Sequence, residues 1–140
     1  MPDLDGLGIL VDGANMVLRR PESDWYGYGH HVLLHGLLGA SVAILAARIA
    51  GCRRALTLLL VALSFHLHLL FDLVGSRGPT AVDKWDIYYF APFTDAYRLS
   101  FAGQWALNAW PNIAFTVLLL VLAIRAAIVD GVSPVALFSG

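Results

Sequence analysis

Two apolar runs, Val32 to Ala50 and Ala55 to Val74, are separated by only the four residues Gly51, Cys52, Arg53 and Arg54. Each run approaches the roughly 20 residues that a helix needs to cross a hydrocarbon core of about 30 Å. A link this short leaves two such helices one arrangement, an antiparallel hairpin. The hairpin also fixes depth. With the bend near Cys52 and Arg53, residues at equal depth have numbers summing to about 105, so His35 lies level with position 70, between His68 and Asp72.

Composition agrees with a membrane setting. The chain is 59% hydrophobic and 14% charged, with mean hydropathy +0.71, well away from the average soluble domain. The interruptions in the two runs are few: His35, Ser41 and Arg48 in the first, Thr57, Ser64 and the His/Asp cluster in the second. A third run, Ile113 to Val129, follows Pro111, a residue suited to a first helical turn. Leu7 to Leu18 is weaker, broken by Asp12, Gly13 and Asn15. Met1 to Leu18 carries three aspartates and no basic n-region, unlike a signal peptide, so the spans themselves are expected to direct insertion.

The expected fold is all-α, a polytopic membrane helical bundle forming one integral membrane domain over 1–140. It has three transmembrane helices, at 31–50, 55–74 and 112–129, and a short partial N-terminal helix. The aromatic connection 75–110 covers the site, and its later part, Leu99 to Trp110, reads as an interfacial helix with Trp105 and Trp110 near the headgroups. A net charge of -1 without a Lys/Arg-rich run argues against nucleic acid as a partner. Cys52 is the only cysteine, which excludes an intrachain disulfide and a thiolate metal cluster.

All five histidines fall in two clusters, His30, His31 and His35, then His66 and His68, and the second runs on to Asp72. Ionisable groups at the ends of apolar helices are costly unless they pair or bind something, so the clusters are expected to form one site. On helical spacing His31 and His35 share a face, as do His68 and Asp72, while His66 points elsewhere. Imidazole and carboxylate donors suit a divalent metal ion, zinc first, with manganese or iron as alternatives. Helix-packing hydrogen bonds and haem ligation are the competing readings. The carboxylate argues against haem, since an axial His does not need one.

The run Tyr28-Gly-His-His-Val-Leu-Leu-His35-Gly-Leu-Leu-Gly-Ala resembles the G-H-R-G-x-T-H-S-L-L signature of membrane-bound, metal-dependent hydrolases of the LexA-regulated inner-membrane type. Pro2-Asp3-Leu4-Asp5 is similar to that family's P-D-x-D. His68-Leu-Leu-Phe-Asp72, followed by Gly75 and Pro79, is similar to its S-H-x-x-x-D element, and Phe90-Ala-Pro-Phe93 to its W-P-F segment. The motifs occur in the family's order across most of residues 1 to 110. The chain differs at His31, Leu34, Gly36 and Leu67, where the family has Arg, Thr, Ser and Ser. The resemblance implies metal ligation by Asp5, His35, His68 and Asp72, with Asp3 and His30 as supporting or additional ligands.

The implied chemistry is metal-dependent hydrolysis of an amphiphilic substrate at the membrane boundary. Arg77, on the turn after Asp72, is the candidate to bind a phosphate oxygen, which makes a lipid-linked phosphoester the leading substrate class. Its plain reading is an interfacial arginine, or a partner for Asp72. The alternative function is a non-catalytic membrane protein or complex subunit whose His/Asp cluster packs helices or holds a structural ion. A proton or metal conduit fits least, because the ionisable groups crowd one end. Arg48, Arg53, Arg54 and Arg125 gather towards the hairpin bend, so the positive-inside rule places the site on the extracytoplasmic side of the cytoplasmic membrane. A chain this small leaves association with copies of itself, or with a membrane partner, open.

Overall fold

The computed structural model describes residues 6–131. The chain is mostly helical: α1 (Gly8–Val17), α2 (Trp25–Tyr28), a π-helical turn (Gly29–Leu33), α3 (Leu37–Ile49), α4 (Ala55–Gly75) and α5 (Trp110–Asp130). A two-stranded antiparallel ribbon, β1 (Ile87–Tyr88) and β2 (Arg98–Leu99), amends the all-α expectation.

The bend between α3 and α4 has a local cause. Gly51 follows the last turn of α3 with φ +92°, its N–H donating to the Arg48 carbonyl at 3.1 Å while the Cys52 N–H donates to the Ala47 carbonyl at 3.0 Å. These two bonds are a Schellman close, which satisfies carbonyls the helix end would orphan and turns the chain sharply. α3 and α4 then pack through Ala40, Phe65 and Leu69, with Ile87 of β1 completing the buried cluster. Ile87 is only 1% exposed, a burial worth about 2 kcal/mol.

Two helices, α4 and α5, are long and apolar enough to cross a membrane. The expected first span is not one helix. α3 has 13 residues, about 20 Å of rise against a core of about 30 Å, and the chain before it breaks at residues 34–36. The break is made by Tyr89. Its carbonyl accepts from the Leu37 N–H at 2.8 Å, satisfying an orphan donor of α3, and it lies so close to Gly36 that a Cβ there would collide with it.

The expected interfacial helix over Leu99 to Trp110 is likewise absent. Leu99 pairs with Ile87 in the ribbon, and residues 100–109 are turns and extended chain. Their backbone is used on α4 instead. All four of the last α4 carbonyls are satisfied: Asp72 by the Ser76 N–H at 3.1 Å, Leu73 by Gln104 Nε2 at 2.9 Å, Val74 by the Trp105 N–H at 3.1 Å, and Gly75 by Asn112 Nδ2 at 2.6 Å. A helix through 99–110 would have claimed the Trp105 N–H for its own ladder. α5 begins at once afterwards, with Pro111 in its first turn, and Phe115 near its start meets Phe71 of α4 at 4.7 Å between ring centroids.

The N-terminal helix is complete, and its polar residues are connectors. Asp12 accepts from the Trp25 N–H at 3.0 Å, the Tyr26 N–H at 2.7 Å and Ser23 Oγ at 2.7 Å, docking α1 on the start of α2. Asn15 Nδ2 adds a bond to Ser23 Oγ at 2.8 Å. Asp24 caps α2 by accepting from the Gly27 N–H at 2.9 Å.

Candidate metal centre

The hairpin brings its two His clusters to one depth. His35 Nε2 lies 3.5 Å from Asp72 Oδ2 and His68 Nε2 lies 3.1 Å from the same oxygen. The His35 and His68 rings are 5.9 Å apart between centroids. One ligand atom from each of His35, His68 and Asp72 lies within 4.8 Å of the other two. The donors expected to meet from the depth rule are therefore the ones that do.

Each side chain is positioned by a different element. His35 follows the π-helical turn, in the break before α3, and is 1% exposed, so its orientation is fixed by packing. His68 and Asp72 stand one turn apart on α4, and Ser76 Oγ donates to Asp72 Oδ1 at 3.1 Å, leaving Oδ2 to face the imidazoles. His68 is 31% exposed and Asp72 17%, but the donor atoms that face one another, His35 Nε2, His68 Nε2 and Asp72 Oδ2, are all buried.

The chain before His35 is a π turn rather than an α-helix, and the His30 ring lies 4.7 Å from His35, edge-on at 80°. Tyr26 stacks on His30 at 5.0 Å, and the Trp85 ring stands 5.2 Å from His30 and 5.8 Å from His35. The side chain of His31, and both Asp3 and Asp5, lie outside the described residues. His66 points away from the centre as expected: its Nε2 meets the Tyr89 hydroxyl at 2.8 Å and its Nδ1 the Ala62 carbonyl at 2.7 Å.

Arg77 sits just beyond α4, tied by its backbone to Trp105 and Leu107. Among the described residues it makes no ion pair with Asp72, and its Nε is buried without a hydrogen-bond partner. It lines a cavity of 420 Å³ with Pro79 and Asn108. The acids of the connection are mostly engaged in its own turns. Asp83 accepts from the Thr80 N–H at 3.1 Å, and hydrogen bonds from Thr80 hold its carboxyl below the usual range. Asp86 pairs with Arg98 at 3.4 Å.

Sequence reasoning missed Gln104, which is 5% exposed and holds Trp85 beside the histidines. Its signal is a carboxamide set within an aromatic, apolar stretch. Tyr89 and Asn112 were missed for the same reason, since each acts through a tertiary bond that leaves no periodic trace.

The donor chemistry and spacing fit a divalent ion. Ligand atoms about 2.0–2.1 Å from a tetrahedral ion lie about 3.3 Å from one another, and the two imidazole-to-carboxylate separations, 3.1 and 3.5 Å, bracket that value. Comparison of the chain with protein-family models, characterised proteins and solved structures gives no match.

Proposed function

We propose that this chain is a membrane-embedded hydrolase dependent on a divalent metal ion, zinc first, acting on an amphiphilic substrate of the lipid-linked phosphoester class. The observation that carries the reading is the convergence of His35, in the break before α3, with His68 and Asp72 of α4. Three protein donors are the ligand count of catalytic zinc sites, whereas structural sites are closed by four. The resemblance of the Tyr28–Ala40 and His68–Pro79 stretches to membrane-bound metal-dependent hydrolases favours hydrolysis over other metal chemistry.

Membrane insertion is supported by where the apolar surface lies. A soluble core helix buries its leucines, but Leu59, Leu60 and Leu63 of α4 and Leu118, Leu119 and Leu120 of α5 are all about half exposed. Such a surface needs an apolar solvent. The basic bend, with Arg48, Arg53 and Arg54, favours the cytoplasmic side and leaves the centre facing outward across the cytoplasmic membrane.

A bound divalent ion would supply an activated water and polarise the bond attacked. The chain's own part is to hold and shield. His35 and His68 would hold the ion through Nε2 and Asp72 through Oδ2, with Ser76 fixing the carboxylate's rotation. Trp85 and His30 exclude water from the buried side. Arg77, just beyond α4, offers the cation that would orient a phosphate oxygen.

A second reading, a packing or structural cluster without catalysis, is favoured by the His68–Asp72 distance of 3.1 Å, which is also a hydrogen-bond length. Elemental analysis of detergent-purified protein separates the two. The hydrolase reading expects stoichiometric divalent metal, its loss in His35→Ala and Asp72→Ala, and metal-dependent phosphate release from a lipid phosphomonoester. Protein without metal above background overturns it, and metal retained without hydrolysis of any ester class leaves the structural reading.

A further inference from the structure

α1 is turned inside out for a helix in water. The face it presents to α2 and the loop before it is small and polar: Asp12 and Asn15 hydrogen-bond there, and a Cβ at Gly8 would collide with the Trp25 carbonyl. Its large apolar residues point elsewhere. Leu7, Ile9, Leu10, Val11, Met16 and Val17 are 46–76% exposed, and at about 100° per residue they occupy an arc of about 220°. A partner helix covers a stripe about 100° wide, whereas acyl chains cover whatever the protein leaves bare. Depth follows from where α1 begins. A Cβ at Gly6, just before α1, would lie 3.6 Å from His30 Nδ1, and the His30 ring lies against His35. His35 is level with position 70, about 8 Å below the site-side end of α4 at Gly75, so α1 starts in the leaflet that holds the centre. Its ten residues rise about 15 Å, too little to cross a core of about 30 Å. At its far end Arg19 and Arg20 are exposed and, among the described residues, without an ion pair. Arg19 holds the left-handed position of the helix close, φ +52°, where glycine is the ordinary occupant. A stop that glycine makes without strain carries a guanidinium instead.

We propose that α1 lies in the plane of the membrane, at the boundary between headgroups and acyl chains of the site-side leaflet, with its apolar face on the acyl chains and Arg19 and Arg20 on anionic lipid headgroups. This rests on the membrane-embedded reading and goes beyond it, since it adds to α4 and α5 an element that lies on the bilayer without crossing it. An in-plane helix keeps one face out of the acyl region, and here that is the face docked on α2. Leu10 and Val17, about 180° from that face, are then the deepest residues. Tyr26 ties the helix to the centre: its N–H donates to Asp12, and its ring stacks on His30 at 5.0 Å.

The test places a nitroxide on single cysteines of full-length Cys52→Ser protein in nanodiscs of phosphatidylcholine with phosphatidylglycerol. Depth is read from the balance of collisions with oxygen and with a water-soluble nickel complex. Labels at Leu10→Cys and Val17→Cys are expected about 5–10 Å below the phosphates, with those at Val11→Cys and Met16→Cys shallower and one at Glu22→Cys in water. Depth that changes steadily from Leu7→Cys to Val17→Cys means a helix along the membrane normal and overturns the proposal. Leu10→Cys and Val17→Cys in water overturn it as well. So does dipolar coupling between the Leu10→Cys labels of two copies together with loss of oxygen access, which assigns the face to a second chain. In phosphatidylcholine alone, or with Arg19→Gln and Arg20→Gln in the mixture, the Val17→Cys label is expected to move towards water; equal depth in all three overturns the arginine contact. A label at Leu119→Cys on α5 keeps the two ideas apart. If it reads water, membrane insertion itself fails, whereas Leu119→Cys among acyl chains with Leu10→Cys in water defeats only the placement of α1.

Discussion

The carboxamide of Gln104 accepts a hydrogen bond from the Trp85 N–H at 2.8 Å and donates one to the Trp85 carbonyl at 2.6 Å. A third bond runs to the Leu73 carbonyl on α4 at 2.9 Å, so one buried side chain joins the helix that carries His68 and Asp72 to the residue that shields His35. Gln104→Met keeps the volume and removes all three bonds. Each buried group left unpaired costs about 1–3 kcal/mol, and a net loss of about 3 kcal/mol is expected after partial relaxation. Thermal unfolding in detergent, followed by tryptophan fluorescence, measures it; an unchanged midpoint would show that water replaces the carboxamide.

His66 and His68 are two residues apart and have opposite fates. His68→Ala removes a donor from the centre and is expected to weaken metal binding by at least about 100-fold, more than the 10–100-fold typical for losing a supporting residue. His66→Ala removes the contacts to the Tyr89 hydroxyl and the Ala62 carbonyl, neither at the centre, and is expected to leave metal affinity within about threefold, the scale on which distant sites act independently. Titration of apo-protein with zinc against a competing chelator gives both numbers. Equal losses in the two variants would mean that the α4 cluster binds as a diffuse patch rather than through the face shared with Asp72.

The depth at which the clusters meet was legible because it follows from helix rise and from a four-residue link. Both are local facts, and His35, His68 and Asp72 converge as they require. The course of the chain around His35 was not legible. An apolar run from Val32 to Ala50 carries no mark of the Tyr89 carbonyl that enters at Gly36, since the intruder lies more than fifty residues away in the sequence. The same holds for 99–110, whose aromatic spacing resembles an interfacial helix while the Trp105 N–H and the Gln104 side chain are committed to the end of α4. Hydrophobic pattern reads which face is buried; it does not read where a backbone hydrogen bond goes.

Gly36 and Gly51 separate two ways in which an alanine can be unwelcome. At Gly36 the added methyl meets the Tyr89 backbone oxygen, which cannot move without losing its bond to the Leu37 N–H. Gly36→Ala is expected to cost about 1–3 kcal/mol and, by displacing the neighbouring His35, to reduce zinc affinity as well. At Gly51 nothing lies within 4 Å of the added methyl, but φ is +92°. Gly51→Ala is expected to cost about 1–2 kcal/mol through the left-handed backbone alone and to leave zinc affinity intact. Denaturation midpoints together with zinc titration distinguish the cases, and a loss of affinity in Gly51→Ala would show that the bend transmits strain to the centre.

Asp12 sets the pH response of the N-terminal region. The Tyr26 N–H is the largest influence on it, with Ser23 and the Trp25 N–H adding to the same direction, and together they hold the carboxyl below its ordinary value of 3.8 against a smaller opposing effect of desolvation. A group whose value is lowered by folding contributes stability that is present above 3.8 and is lost as pH falls through the lowered value. Protection of the Trp25 and Tyr26 amides from hydrogen exchange is therefore expected to be constant from neutral pH down to the ordinary carboxylate range, after allowance for the intrinsic rate, and to fall below it. Asp12→Asn is expected to lower that protection at neutral pH and to flatten its acid dependence, because the amide oxygen accepts more weakly and does not titrate. If the variant and the wild type lose protection together on acidification, another group controls the docking of α1 on α2.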